Sequence, residues 1–247
     1  MLTYEMTADE VVSMDPELAI IPVGSLEQHG PHLPIMTDWA IATAMGKLVA
    51  QRMHAFCLPA LPISTNREHM GKKGSVWMEP TTFYQMLTDI ILSLKTQGFK
   101  KVGIIQCHGG IFIMKPTVRD LNAKYNPELC VAVAEPYQFN HQLIEEGILK
   151  TNGIHADESE TAFMLAIAEE TVHMERAVDC TPDVPQSYLG YGSIFRASPS
   201  GVWGQPTKAT KETGERLLSR TAELIEKELN KAFAYMTSKE KFGYSNY

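Results

Sequence analysis

Histidine and carboxylate side chains are concentrated in a loop near the N-terminus that is rich in glycine and proline. Glu27 and His29 lie two residues apart in GSLEQHGPHLP, and Asp38 follows nine residues after His29. Imidazole and carboxylate groups are ligands that suit divalent zinc, manganese, iron or nickel. The spacing therefore indicates a candidate metal site. The alternative is a polar loop in which Asp38 only stabilises the start of the following helix.

Two further histidines lie beside segments that could position them. His108 follows the apolar run VGIIQC and precedes two glycines, which allow a close approach to the backbone. His155 and Glu160 belong to the acidic segment HADESET, which opens a helical pattern. His108 could instead cap the next helix, and Asp157 and Glu158 are ordinary partners of a helix dipole. The residue types alone leave these alternatives open.

A parallel sheet would bring these side chains together. Apolar runs predict buried strands over 17–24, 55–60, 101–107 and 128–134. Helical patterns cover 38–53, 82–98, 110–125, 157–170 and 208–236, after a short helix that begins with a capping box at Thr7. This alternation predicts an α/β fold, a single three-layer α/β/α domain over 1–247 with a mostly parallel central sheet.

The strand order along the chain places the chemistry at one edge of that sheet. Glu27 and His29 follow the first predicted strand, and His108 follows the third. Ligands of open α/β sheets bind outside the carboxyl ends of the strands. We therefore expect these three side chains to face a common site.

Composition excludes several classes of partner. The chain has 22 Lys and Arg against 29 Asp and Glu, a formal charge of −7, and no basic tract. Such a chain is a poor nucleic-acid binder. No apolar run reaches the roughly 18–20 residues of a membrane span. The first ten residues carry acids and no basic region, which is not typical of a signal peptide, so we expect a cytoplasmic protein.

Taken together, the motifs resemble the creatininase (creatinine amidohydrolase) family. The matching segments are IPVGSLEQHGPHLPIMTD near the N-terminus, HGG at 108–110, HADESET at 155–161 and GVWGQPTKAT at 201–210. The resemblance spans nearly the whole chain. It implies a cytoplasmic binuclear metal hydrolase that acts on a small molecule and assembles as a homo-oligomer, often a hexamer.

The resemblance also implies roles for individual side chains. Two divalent ions, Zn, Mn or Fe, would be held by Glu27, Asp38 and His108 and by His29, Asp38 and Glu160, with Asp38 bridging. Three carboxylates and one bridging hydroxide neutralise two divalent cations, which suits a partly buried site. That hydroxide would be the nucleophile. His155 would protonate the leaving group, a role for which we expect a pKa in the neutral range.

Departures from the family pattern argue against creatinine as the substrate. Creatinine hydrolase carries an aromatic residue and an acid where this chain has Gly109 and Gly110. It also carries tryptophans near positions that are Asn152 and Tyr137 here. The expected reaction is hydrolysis of a C–N bond in a small, cyclic, polar amide. Ring opening of a keto-inositol (of the 3-dehydro-scyllo-inosose type) and a non-catalytic metal-binding protein are the alternatives.

Two loops are candidates for contacts with the substrate or with a second subunit. The long loop over 61–80 carries Glu68 and His69, which resemble a family pair that faces the substrate. Elsewhere in the chain, we expect Gly109 and Tyr137 to contact the substrate as well. Lys72 and Lys73 in the loop over 61–80 indicate an anionic or polyhydroxylated substrate, or simply a solvated lid.

The second loop, over 181–207, carries large apolar side chains. They are Tyr188, Tyr191, Phe195 and Trp203. These are more than a solvated loop would expose. We expect the loop to pack against a neighbouring subunit and to shape the mouth of its active site.

Overall fold

The computed structural model describes residues 2–238 and contains a four-stranded parallel sheet. The strands are β1 Leu18–Val23, β2 Phe56–Cys57, β3 Lys101–Gln106 and β4 Cys130–Ala134, in the order β2-β1-β3-β4. All six residues of β1 pair with β3. The carboxyl ends of these two central strands therefore lie side by side. The predicted domain boundaries at 1 and 247 lie outside the described residues.

Helices connect the strands and cover the sheet. They are α1 Ala8–Met14, α2 Thr37–Met53, α3 Pro80–Thr96, α4 Met114–Tyr125, α5 Asn140–Glu145, α6 Glu158–Ile167 and α7 Lys211–Thr237. Short 3-10 helices occur in the connecting loops. Within residues 2–238, none of the helices combines the length and the apolar character that crossing a membrane requires.

Side chains alternate between the two faces of the sheet and so divide the core in two. Ile20 and Ile105 pack with the apolar faces of α2, α6 and α7. Ile21 and Ile104 point the other way and pack with α3 and α4. The result is a helix layer on each side of a parallel sheet, which confirms the predicted α/β class with its three layers.

Several predicted boundaries are wrong. The strand expected over 55–60 pairs regularly with β1 only at Phe56 and Cys57. Beyond it, the chain pairs with β1 again at an isolated bridge between Val23 and Leu61. The helix expected directly after His108 begins at Met114, after a turn. The short helix α5 was not predicted, since its six residues are too few to show a period.

Candidate metal centre

The loops after β1 and β3 meet at the edge of the sheet. Glu27 and His29 lie on the first loop, which leads into the first turn of α2, where Asp38 is the second residue. His108 lies two residues beyond β3. All four side chains are at most 5% exposed. The parallel pairing of β1 with β3 thus brings Glu27, His29 and Asp38, which follow β1, close to His108, which follows β3.

Asp38 lies between two groups of potential ligands. Its Oδ1 is 3.0 Å from His29 Nε2, and its Oδ2 is 3.2 Å from His108 Nδ1. Glu27 Oε2 is 3.3 Å from the same His108 Nδ1. On the other side, Glu160 Oε2 is 3.8 Å from His29 Nε2. The two oxygens of one carboxylate therefore face two separate pairs of side chains.

The carboxylates carry buried oxygens without a hydrogen-bond donor. Glu27 Oε1 and Oε2 and Asp38 Oδ2 accept no hydrogen bond, although histidine nitrogens lie 3.0–3.3 Å away. An uncompensated buried charge is costly. His29, Asp38 and Glu160 also offer atoms that all lie within 4.8 Å of one another. Buried carboxylate oxygens that lie near ring nitrogens and yet accept no hydrogen bond fit ligands placed around cations.

Backbone carbonyls orient the two histidine ligands. His29 Nδ1 lies 3.1 Å from the carbonyl oxygen of Glu27, and His108 Nε2 lies 3.0 Å from that of Thr65. A carbonyl oxygen only accepts, so each of these ring nitrogens donates. In the neutral rings the other nitrogen keeps its lone pair and faces Asp38. This is the usual arrangement behind a metal-bound histidine.

The start of α6 holds Glu160 toward the cluster. Asp157 caps the helix, since its Oδ1 accepts the N–H of Glu160 at 3.0 Å and the hydroxyl of Ser159 at 2.7 Å. Asp157 thus acts as the helix partner that the sequence indicated. Ala156 has a left-handed backbone, with φ 49°, and its N–H donates to Glu160 Oε2. That strained turn aims the Glu160 carboxylate at His29.

The Nδ1 side of the His155 ring faces the cluster. Its Nε2 is 2.7 Å from the carbonyl oxygen of Gln28, and its Nδ1 is 3.7 Å from Glu27 Oε1. The backbone of His155 also pairs with that of Trp203 in the GVWG segment. Burial and the neighbouring His29 lower the pKa of His155 to about 4. The expected neutral-range pKa is therefore wrong, and the ring is neutral at pH 7.

The carboxylates give the cluster a strong attraction for positive charge. Burial favours a neutral His29, but the charges of Asp38 and Glu160 still raise its pKa well above its usual value. The pKa of His108 is raised in the same way against burial, chiefly by Glu27. Burial raises the pKa of Glu27 itself to about 7. Protons thus balance the carboxylate charge in the metal-free protein.

A cavity of about 1000 Å³ opens beside the cluster. The four residues predicted to contact substrate line it, namely Glu68, His69, Gly109 and Tyr137. Amide and hydroxyl groups form much of the remaining wall; they belong to Gln138, Asn140, Asn152, Gln186 and Ser187. Among the described residues that line this cavity there is no lysine or arginine.

The two lysines singled out in the sequence do not face this cavity. Lys72 Nζ lies 4.9 Å from the centroid of the Phe195 ring, and neither Lys72 nor Lys73 is part of the cavity wall. Both side chains are exposed. The placement favours the solvated loop over a contact with an anionic substrate.

Glu68 and His69 do not only line the cavity but also lie within 3.1 Å of side chains of the cluster. His69 Nε2 is 3.0 Å from Glu27 Oε1, and Glu68 Oε1 is 3.1 Å from His108 Nε2. Gly110 makes room for Glu68, because a Cβ at that position would lie 1.6 Å from Glu68 Oε1. Local sequence gave no sign of this dependence on a distant glycine.

The aromatic residues of the loop over 181–207 divide into two pairs. Trp203 is 5% exposed and Phe195 is partly buried. Tyr188 and Tyr191 are 56% and 79% exposed. The two tyrosines are therefore the members of this group that expose most of their surface.

Comparison with known proteins identifies the family. The sequence model described as "Creatininase: Creatinine amidohydrolase" matches residues 4–229, so the chain belongs to the creatininase family. The chain is 28% identical to the 3-dehydro-scyllo-inosose hydrolase of Thermotoga maritima over 241 residues, which covers 85% of this chain and 76% of that protein. It is 29% identical to the mycofactocin precursor peptide peptidase of Mycobacterium ulcerans over 228 residues, covering 86% and 84%.

Solved structures agree with this assignment. The crystal structure of creatinine amidohydrolase (creatininase) superposes with a TM-score of 0.78 at 25% identity, covering 94% of this chain and 98% of that one. Related creatininase structures are described as a Zn-Zn type and as a manganese form. The chain is a metal-dependent hydrolase of this family, which excludes the alternative of a non-catalytic metal-binding protein.

Proposed function

We propose that the chain is a binuclear hydrolase that attacks a carbonyl group of a small, uncharged substrate. The observation that carries the proposal is the position of Asp38, whose two oxygens face His29 and His108 separately. Glu27 would complete the ligands on the His108 side, and Glu160 those on the His29 side. Bound divalent ions would polarise the carbonyl group and lower the pKa of water toward neutrality.

His155 would move the proton in this reaction. The Gln28 carbonyl holds the hydrogen of the neutral ring on Nε2, so the bare Nδ1 faces the cluster and the cavity. Nδ1 can take the proton of the attacking water as its oxygen bonds to the carbonyl carbon. The C–N bond then breaks, and the same proton passes to the leaving nitrogen. His155 thus acts first as a general base and then as a general acid. The family resemblance had instead implied a ring that is protonated at the start of the reaction.

The first substrate class is a small cyclic amide other than creatinine. The cavity wall carries Asn152 and Tyr137 where creatinine hydrolase is expected to carry tryptophans, and no tryptophan lines the cavity among the described residues. No lysine or arginine of the described part of the chain lines this wall to neutralise a phosphate or carboxylate group. Its amide and hydroxyl groups suit neutral substrates that form several hydrogen bonds.

A keto-inositol is the second candidate, and the same wall favours it. Each hydroxyl of a cyclitol needs a hydrogen-bond partner when buried. The wall offers amide or hydroxyl side chains for this purpose, among them those of Gln138, Asn140, Asn152, Gln186 and Ser187. The reaction uses the same attack on a carbonyl carbon, after which a carbon–carbon bond breaks and the leaving carbon takes the proton. The relative from Thermotoga maritima named above is a 3-dehydro-scyllo-inosose hydrolase.

A substrate screen tests the proposal. Protein loaded with zinc or manganese is incubated with lactams, formamides and keto-inositols, with creatinine as a comparison. We expect turnover of a neutral cyclic amide or of a keto-inositol, and little of creatinine. The proposal is contradicted if metal-loaded protein turns over none of these neutral substrates, or creatinine alone.

We also propose that the chain forms a homo-oligomer, with a hexamer as the expected form. Tyr188 and Tyr191 are exposed in a segment whose Gln186 and Leu189 line the cavity. Phe112, another cavity residue, is 76% exposed. A second subunit packed on these rings would bury them and narrow the cavity mouth. Light scattering that shows a monomer at micromolar concentration would refute this.

A further inference from the structure

We propose that Gln28 is a positioning residue that fixes which ring nitrogen carries the proton in His69 and in His155. Gln28 lies between two of the proposed metal ligands and is 4% exposed. The inference rests on the proposed metal centre. Its consequence is that His69 supports a ligand instead of binding an ion.

The backbone fixes the orientation of the Gln28 amide. The amide oxygen Oε1 accepts the N–H of Gly30 at 3.0 Å. The nitrogen Nε2 therefore faces the opposite way, where it lies 2.9 Å from His69 Nδ1 and 3.5 Å from the carbonyl oxygen of Gly201. Both contacts suit a donor, and a flipped amide would lose the bond to Gly30.

This orientation places the hydrogen of the His69 ring on the nitrogen that lies nearest Glu27. An amide nitrogen only donates, so His69 Nδ1 accepts, and the neutral ring carries its hydrogen on Nε2. That Nε2 lies 3.0 Å from Glu27 Oε1. Glu27, His69 and His108 do offer atoms within 4.8 Å of one another, as three ligands of one ion would. The protonated Nε2 removes His69 from that set.

The backbone carbonyl of Gln28 determines which nitrogen of the His155 ring carries the hydrogen. It lies 2.7 Å from His155 Nε2, so that nitrogen carries the hydrogen and Nδ1 stays bare. The side-chain Nε2 of Gln28 is also 3.1 Å from His155 Nε2. The shorter carbonyl contact decides, because a bare nitrogen would be repelled by the carbonyl oxygen at that distance. One residue thus sets the proton positions of both rings.

Gly201 explains why the GVWG segment belongs to this arrangement. A Cβ at Gly201 would lie 2.1 Å from Gln28 Oε1, and its φ of +82° is one that side-chain residues rarely adopt. The glycine therefore leaves the space that the amide occupies. This links a motif far along the chain to the metal centre through Gln28.

The first test measures zinc affinity by competition with a chelator. Gln28→Met keeps the side-chain volume and removes the donor, and we expect a loss of about 10–100-fold. His69→Gln places an amide donor near the Nε2 position whatever Gln28 does. In the His69→Gln protein, adding Gln28→Met should lower zinc affinity by a factor at least about threefold smaller than it does in the wild-type protein. Equal losses in both backgrounds, or wild-type affinity in Gln28→Met, would overturn the inference.

Gln106→Met is the matched control. Gln106 is also a buried glutamine beside the centre, but its amide donates to the backbone carbonyl of His108 at 2.9 Å and not to a ring. We expect it to keep wild-type zinc affinity. Melting temperatures of all variants report any general loss of folding. If Gln28→Met does not fold, Gly201→Ala displaces the amide without changing its chemistry and should weaken zinc binding in the same way.

A neutron structure of the wild-type protein needs no variant. We expect deuterium on Nε2 and none on Nδ1 in both His69 and His155. Deuterium on His69 Nδ1, or zinc bound to His69 Nε2, overturns the inference. Failure of the wild-type chain to bind zinc would instead refute the proposed function, while the metal-free crystal still shows the ring protons.

Discussion

The metal centre and the outer wall of the cavity are built in different ways. Glu27, His29 and Asp38 are at most 1% exposed; Glu27 and His29 lie on the loop between β1 and α2, and Asp38 lies in the first turn of α2. By the outer wall we mean the side of the cavity formed by surface residues, among them those of the 3-10 helix Gln186–Tyr191. This helix contributes no buried residue. One region is fixed by the core, and the other lies on the surface.

This difference separates the chemistry from the choice of substrate. Five ligands must keep their positions within fractions of an ångström, and only a packed setting holds them so. A substrate wall on a surface loop can change its side chains without disturbing those ligands. Substitutions at the centre should therefore have large effects on metal binding and rate, and substitutions in the wall small effects on substrate affinity.

The largest effect is expected for Asp38→Ala, which removes the carboxylate shared by both proposed ions. We expect both metals to be lost and activity with them, because each side of the centre loses a ligand and its charge balance. Elemental analysis after dialysis measures this directly. Asp89→Ala, at an exposed aspartate of α3, is the control and should retain two ions. An Asp38→Ala protein that keeps both ions would remove the bridging role.

A second pair of variants separates ligand from proton carrier. His155→Ala should keep both ions and turn over about 10²–10⁴-fold more slowly, the usual contribution of a general acid or base. Glu160→Ala should lose the ion on the His29 side. Metal content, melting temperature and turnover are measured on both. Normal turnover in His155→Ala would assign the proton transfer to another group.

The pH dependence of zinc affinity tests the charge balance of the centre. In the metal-free protein the raised pKa values of His29 and His108 keep these rings protonated, and zinc must displace those protons. Affinity should therefore rise with pH between about 6 and 8, by about tenfold per pH unit for each proton released. Competition with a chelator of known pH dependence measures it. His54→Gln, at an exposed histidine, should keep the slope, and a flat profile would contradict this charge balance.

The smallest effect is expected in the wall. Asn152→Ala removes one amide that lines the cavity, so KM should rise by about 3–10-fold while kcat stays nearly unchanged, as for the loss of one hydrogen bond. Steady-state kinetics with the substrate found in the screen measures both constants. If the turnover rate instead falls as far as it does in His155→Ala, the wall and the centre are not separable as described.

The same division governs what could be predicted from the sequence. The apolar strands and the loop with Glu27, His29 and Asp38 are local patterns, and the parallel order of the strands placed His108 beside them. Thr65 was missed because it acts through a backbone carbonyl, which any residue type supplies. Its distance in sequence from His108 gave no local signal.

The wall was harder to predict than the centre. The segment over 186–190 reaches the cavity only through the tertiary fold, and its residue types are ordinary for a loop. The short β2 shows the same limit on a smaller scale, since its regular pairing with β1 stops at Cys57 although the apolar run continues to Ala60.

A crystal structure of zinc-loaded protein, with anomalous data collected at the zinc edge, tests the central claim most directly. We predict two anomalous peaks about 3.5–4 Å apart. Asp38 should bridge them, with Glu27 and His108 on one ion and His29 and Glu160 on the other. A single peak, or two ions that do not share Asp38, would contradict the binuclear centre.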